Sequence, residues 1–95
     1  MNDQETPAGK ARLLTVTVPA VHLRAAQQYL CTGPTPCSLV SESTSGKYAV
    51  LTVLSDAPVT KARDPLKERL AMLRAYVDQY SARPVAAIIH PVNII

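Results

Sequence analysis

The sequence of 95 residues predicts an α+β fold whose elements follow one another in the order β-α-β-β-α-β. Some segments alternate apolar and polar residues, which is the spacing of strands, whereas others place apolar residues every three or four positions, which is the spacing of helices. Two of the strand segments are separated by Ser45-Gly46, a turn signal that is typical of a β-hairpin. The length suits a single domain.

The first half of the chain predicts a leader, a strand and a helix. Residues 1–12 are polar and are predicted to form a flexible leader before a domain of residues 13–95. In residues 14–18 Leu and Val alternate with Thr, which predicts a strand that ends at Pro19. The period then becomes helical over residues 20–31, up to the helix-stopping pair Gly33-Pro34.

The second half predicts a hairpin, a helix and a last strand. The hairpin strands are predicted over residues 37–43 and 47–54. Asp64-Pro65 then supplies an N-cap and a first-turn proline for a helix. Its apolar stripe consists of Leu66, Leu70, Leu73 and Val77. The fourth strand is predicted over residues 85–90, and Pro91 favours an edge position for it.

Right-handed crossovers and a short hairpin make a ferredoxin-like sandwich the expected arrangement of these elements, with an antiparallel four-stranded sheet and two helices on one face. The usual strand order of that sandwich, 4-1-3-2, also puts the fourth strand at an edge. One sheet face is then free of helices. It is predicted to carry Tyr48, Val50 and Leu54, and an apolar face of this kind favours contact with another copy of the chain.

Composition limits the classes of function. The chain has no Phe or Trp, so its core must consist of small aliphatic side chains, which favours association into a dimer or trimer. No apolar run is long enough to span a membrane, and the N-terminus has no apolar signal region. We therefore expect a cytoplasmic protein in which Cys31 and Cys37 are reduced thiols, with a disulfide between them as the alternative.

Three polar residues are predicted to lie at one end of the fold: His22, Lys47 and Arg83. All three are candidate ligand-binding residues: Lys47 after the hairpin tip and Arg83 before the fourth strand are candidate contacts for a small anionic effector, and His22 is a candidate ligand contact or proton acceptor. The alternatives are a packed histidine and an ordinary hairpin tip, because the glycine spacing of a P-loop is missing. The sequence does not identify the effector or a cofactor.

The remaining patterns argue against other classes of protein. No catalytic set of nucleophile, base or paired carboxylates is visible, so we expect no enzyme. The cysteine spacing matches neither a C-x-x-C redox motif nor a four-ligand zinc site, so no metal site is predicted. The net charge of +3 is mild, and Lys67, Arg69 and Arg74 do not share one helix face, which makes a nucleic-acid partner a weaker alternative.

Two segments resemble the PII-like signalling proteins, which are ferredoxin-like homotrimers that bind small effectors between subunits. They are the strand 14–18 with Pro19 before the first helix, and Ile88-Ile89-His90-Pro91-Val92, where that family often has Ser-Pro-Val. The resemblance covers residues 13–95 and implies a trimeric regulatory protein. The family's long loop between strands two and three is here a tight hairpin, and its nucleotide-binding glycines have no counterpart, so nucleotide binding is not implied.

These observations predict a non-enzymatic regulatory or small-effector-binding module that acts as a homo-oligomer. A weak nucleic-acid-binding protein is the first alternative, and a thiol- or metal-handling protein is the second.

Overall fold

A computed structural model of the chain describes residues 11–92. It has four strands, β1 (Arg12–Pro19), β2 (Ser38–Ser45), β3 (Tyr48–Ser55) and β4 (Ala86–Pro91). The helices are α1 (Leu23–Cys31) and α2 (Pro65–Tyr80), and a 3-10 turn over Ala20–His22 precedes α1. The α+β class, with one antiparallel sheet and two helices, is confirmed.

The sheet has the strand order β2-β3-β1-β4, so β4 lies at an edge. Proline has no N–H to donate to a neighbouring strand, and the edge position of Pro91 agrees with this restriction. The hairpin between β2 and β3 turns at Gly46, whose φ of 59° is the left-handed conformation expected at a tight turn. A bulge at Val40 shifts the register of β2 against β3.

The core lies between the sheet and the two helices and is almost entirely aliphatic. Alternate residues of β1 and β3 point into it, and the predicted stripe of α2 is buried against them. The largest fully buried side chains are Leu14, Leu30, Leu51, Leu66, Leu73, Val16, Val18, Val53 and Val77. The absence of Phe and Trp is therefore met by close packing of Leu and Val, as the composition predicts.

The first helix begins later than the sequence period indicates. Residues 20–31 were predicted as one helix, but Ala20–His22 form a 3-10 turn and the α-helix begins at Leu23. The reason is tertiary, since the backbone N–H of Ala20 donates to the carbonyl oxygen of Lys47 at 2.8 Å and so continues the pairing of β1 with β3. His22 consequently precedes α1 instead of lying within its first turn.

The predicted leader, residues 1–12, lies outside the described residues except for its last two. Ala11 is buried, and its carbonyl oxygen accepts a hydrogen bond of 2.9 Å from the N–H of Val92. Arg12 begins β1, so the folded unit includes these two residues. No helix among residues 11–92 is long and apolar enough to cross a membrane.

An ion pair joins the start of β1 to the start of α2. The guanidinium of Arg12 donates two hydrogen bonds to the Asp64 carboxylate, at 2.9 and 2.8 Å. One carboxylate oxygen of Asp64 also accepts from the N–H groups of Leu66 and Lys67, as an N-cap does. The hydrogen bonds from Arg12 lower the pKa of Asp64, and the backbone N–H groups add to that effect.

We predict that Asp64→Ala lowers the free energy of unfolding by about 1–2 kcal/mol, because it removes the cap and leaves Arg12 without its partner. Asp64→Asn should cost less, since an amide oxygen still accepts from the two backbone N–H groups. Urea unfolding at pH 7 and one fixed protein concentration compares the two variants. Equal losses in both variants would show that the cap contributes nothing.

The lowered pKa of Asp64 also predicts that the stability of the fold depends on pH. The pKa of Asp64 is lower in the folded chain than in the unfolded chain, so its charge stabilises the fold above the unfolded value of about 3.9. That contribution is lost as the pH falls through the folded pKa. The stability difference between wild type and Asp64→Asn should therefore shrink between about pH 5 and pH 2, and a constant difference over that range would contradict the role of the charge.

Candidate functional site

The predicted anion contacts, Lys47 and Arg83, lie at the hairpin end of the sheet. Lys47 is exposed at the turn, and its carbonyl oxygen accepts from Ala20. The Arg83 guanidinium donates to the Tyr48 hydroxyl, and its central carbon lies 5.6 Å from the centre of the Tyr48 ring. Arg83 is thus held beside Tyr48, the residue next to Lys47 in the chain.

His22, the third residue of that predicted set, faces the helices. Its half-buried ring lies 5.7 Å from that of Tyr76 in an edge-on arrangement and 6.0 Å from that of Tyr80. His22 therefore packs against α2, while Arg83 contacts Tyr48 on the strand β3. The structure agrees here with the packed histidine that the sequence left as an alternative.

An aromatic cluster links the turn before α1 and the two helices. We use this name for His22, Tyr29, Tyr76 and Tyr80. The ring of Tyr76 is 5.6 Å from that of Tyr29 and 5.0 Å from that of Tyr80. Three of the four tyrosines in the chain lie in this cluster. Sequence reasoning missed the cluster, although Tyr76 and Tyr80 are spaced four apart on one helix face.

A groove of about 760 Å³, the interhelical groove, runs between α1 and α2, and the turn after α1 and the segment before α2 line it at one end. Tyr29 and Tyr76 of the aromatic cluster line it, together with Met72, whose side chain is largely exposed. The prolines of the two bounding segments, Pro34 and Pro58, also line it. The groove is mostly apolar, with a few polar groups, as is typical of small-molecule sites.

Arg69 lies in this groove and holds the end of α1. One terminal nitrogen, Nη1, donates to the carbonyl oxygen of Tyr29 at 2.8 Å and to that of Thr32. These carbonyls belong to the last turn of α1, where no helical partner is available, and a positive charge there also complements the helix dipole. The Arg69 Nε is buried and has no hydrogen-bond partner in the described part of the chain.

Gly33 leaves the space that the guanidinium of Arg69 occupies. Its φ is 101°, a backbone conformation that residues with a side chain rarely adopt. A Cβ at this position would lie 3.0 Å from Nη2 of Arg69, which is closer than ordinary packing allows. The turn after α1 thus needs glycine both for its backbone and for the space that the guanidinium occupies.

Arg63 and Glu68 form an ion pair at the mouth of the groove. The guanidinium of Arg63 donates to the two carboxylate oxygens of Glu68 at 3.0 and 2.6 Å. These hydrogen bonds lower the pKa of Glu68. Both groups are solvent-exposed, so the pair contributes little stability, but it holds the Arg63 side chain against α2. Arg63, Glu68 and Arg69 together give the groove a net charge of about +1 at neutral pH.

The two cysteines lie near the same end of the molecule and are free thiols in the structure. Cys37 is buried, and its N–H donates to the carbonyl oxygen of Leu30 at 2.8 Å. Burial raises the pKa of both thiols, and the nearby charge of Arg69 only partly opposes this. They are therefore protonated and weakly nucleophilic at neutral pH. The disulfide between them stays a prediction.

Other polar groups in the described chain do not converge. Lys67 and Arg74 line a shallow groove between α2 and β4 together with Asp78, whereas Arg69 faces the interhelical groove. The three cations of α2 thus divide between two sides of the helix, as their spacing predicts. Among residues 11–92, no three His, Cys, Asp or Glu side chains lie together in a way that could hold a metal ion.

On the sheet face opposite the helices no strand residue is Asp, Glu, Lys or Arg, and we name it the uncharged sheet face. Strand register and burial assign to it Leu13, Thr15, Thr17, Ser38, Ser41, Ser43, Ser45, Tyr48, Val50, Thr52, Leu54, Ala86, Ile88 and His90. None of these is Asp, Glu, Lys or Arg, although 18% of the chain is charged. Tyr48, Val50 and Leu54 lie on this face, as the strand alternation predicts. The side chains of Val50 and Ile88 are 37% and 58% exposed.

We predict that Gly33→Ala destabilises the fold more than Gly46→Ala does. Gly46 has a φ of 59° and open space around it, so an added methyl should cost only the left-handed backbone penalty of about 1–2 kcal/mol. Gly33→Ala adds the displacement of Arg69. Hydrogen exchange of the Cys37 amide, which reports on the end of α1, should accelerate in Gly33→Ala and not in Gly46→Ala. Equal exchange rates of the Cys37 amide in both variants would show that the space that Gly33 leaves for Arg69 does not stabilise the end of α1.

Comparison with known proteins adds no relative to this description. No family model matches the chain, and neither a curated protein nor a solved structure matches it. Two surfaces of the described residues are candidate binding surfaces, the interhelical groove and the uncharged sheet face.

Proposed function

We propose that this protein is a non-enzymatic regulatory module that binds a small effector and acts as a homo-oligomer, formed through the uncharged sheet face. The observation that carries the proposal is that face itself, an uncharged surface spanning all four strands. Charged side chains are costly to desolvate, so a surface without them can be buried at low cost. The strand residues of the face are uncharged, and the one guanidinium beside it, that of Arg83, lies over Tyr48 at the hairpin end.

The centre of the face supports burial because its polar groups are paired. The hydroxyls of Thr15 and Thr52, on the two central strands, lie 3.1 Å apart and share a hydrogen bond. Around them lie apolar side chains of three strands, among them Leu13, Val50 and Ile88. Buried hydroxyls that already have a partner lose little when water is removed, whereas the surrounding aliphatic groups gain.

The size of the face suits an interface of modest area. Three strands of eight residues and one of six, spaced about 4.8 Å apart with about 3.3 Å per residue, cover roughly 500 Å² per copy. Two copies then bury about 1,000 Å², which is near the lower limit for specific association. The exposed serine row of β2 would form the wetter margin of such an interface.

We propose further that the fold is ferredoxin-like and that the protein is PII-like. The order of strands, read from the β4 edge as β4-β1-β3-β2, supports the first proposal together with the helices on one side of the sheet. The segments 14–19 and 88–92 support the second, because the first lies in the central strand β1 and most of the second in the edge strand β4. A cytoplasmic location, with the thiols reduced, belongs to the same proposal.

We predict that the wild-type chain sediments as a dimer or trimer at about 50 µM, and that Val50→Lys shifts it at least tenfold toward monomer, because a lysine in the centre of the face must be desolvated without a partner. Val21→Lys is the matched control, since Val21 is 85% exposed and lies off the sheet. A monomeric wild type would overturn the proposed assembly, and equal effects of the two variants would overturn its location.

A further inference from the structure

We propose that the interhelical groove is the effector site, and that its ligand is a small organic monoanion with a flat apolar body. The proposal rests on the proposed effector-binding function and names the place and the chemistry of the ligand. It differs from the end of the fold that carries Lys47 and Arg83.

The shape of the groove fits a ligand of this kind. Its volume of about 760 Å³ lies within the range of sites that hold small molecules. The rings of Tyr29 and Tyr76 are partly exposed along it and lie 5.6 Å apart, tilted by 48°. Aromatic faces bind flat apolar groups by stacking, and a side chain as flexible as Met72 can adapt to the opposite edge of the ligand.

The position of these tyrosines is itself an argument for binding. The largest fully buried side chains are all Leu and Val, and Tyr29 and Tyr76 pack against the core while remaining partly exposed. Large aromatic groups contribute more burial than other side chains, yet here they remain partly in water beside a groove. A flat ligand in the groove between α1 and α2 would cover that remaining exposed surface.

The charge of the groove favours one negative group. Two of the five N–H donors of Arg63 are used by Glu68, so three remain for another acceptor, and the side chain is 71% exposed at the mouth. Arg69 adds a second positive charge deeper in the groove, where its Nη1 is occupied by two carbonyls of α1. Glu68 balances one of the two, which leaves about one positive charge for a carboxylate, sulfonate or phosphate monoanion.

Naphthalene-2-sulfonate, a flat body with one anionic group, is a suitable probe. In a titration of the full-length, ¹⁵N-labelled protein followed by amide chemical shifts, we expect saturable shifts at Gln28, Tyr29, Gly33 and Met72. The expected Kd is about 1 mM, since a probe of this size gains about 0.3 kcal/mol per non-hydrogen atom. Cyclohexanesulfonate, which lacks the flat ring, and 2-naphthylmethylammonium, which has the opposite charge, should each bind at least fivefold more weakly.

Two substitutions in the groove, each with a control outside it, locate the site. Arg63→Gln should raise the Kd of the probe at least fivefold. Arg74→Gln makes the same change on the other side of α2 and should leave the Kd unchanged. Tyr76→Leu should raise the Kd by a similar factor. Tyr80→Leu is its control, because Tyr80 belongs to the aromatic cluster but does not line the groove, and it should leave the Kd unchanged. Amide spectra of each variant verify that it is folded before the titration.

Several results would overturn the inference. Chemical-shift changes confined to the surroundings of Lys47 and Arg83 would place the effector at the hairpin end. The proposed location in the groove would then be wrong, while the proposed effector-binding function would stand. Shifts on the uncharged sheet face, or equal weakening by Arg63→Gln and Arg74→Gln, would also overturn the groove site. Absence of saturable shifts up to 10 mM probe would refute the proposed ligand class, and the sedimentation experiment would still test the assembly separately.

Discussion

The pairing of β1 with β3 is the constraint on which the rest of this molecule depends. In the observed register Leu14, Val16 and Val18 lie opposite Val53, Leu51 and Ala49, and all six point into the core. Because side chains alternate across a strand, a slip of one residue would turn this set outward and bring threonines under the helices. The same register that closes the core therefore also assembles the uncharged sheet face, so stability and the proposed assembly surface have one origin.

The helices depend on a second tie, made by Arg69. It connects α2 to the end of α1 through two carbonyls, and it occupies the space that Gly33 leaves open. A side chain used in this way fixes the distance between two helices and so defines the width of the groove between them. Residues that shape the proposed site are in this sense structural, while the exposed Arg63 and the two tyrosines remain free to meet a ligand.

The lack of Phe and Trp has a consequence for where function can lie. An aliphatic core packs closely without rings, and the four tyrosines are left for the surface, one on the sheet face beside Arg83 and three with His22 along the helices. Tyrosine combines a large apolar ring with a polar tip, which suits surfaces that exchange water for a partner. Each of the two regions that we propose to be functional contains at least one of these tyrosines.

Local patterns in the sequence determined a large part of this structure. The alternation of Thr with Val in β1, the stripe of α2 and the N-cap Asp64 each follow from periods or spacings within one element, so they could be read before any fold was known. The face that carries Val50 and Leu54 was also predictable, because strand alternation alone separates them from Leu51 and Val53. Contacts between distant residues were decided only by the tertiary structure. Arg12 meets Asp64 across 52 positions and Arg69 reaches Tyr29 across 40, and the 3-10 turn before α1 exists because Ala20 pairs with Lys47. No local period encodes such contacts, since each depends on how two whole elements pack, and the groove between the helices is a product of that packing.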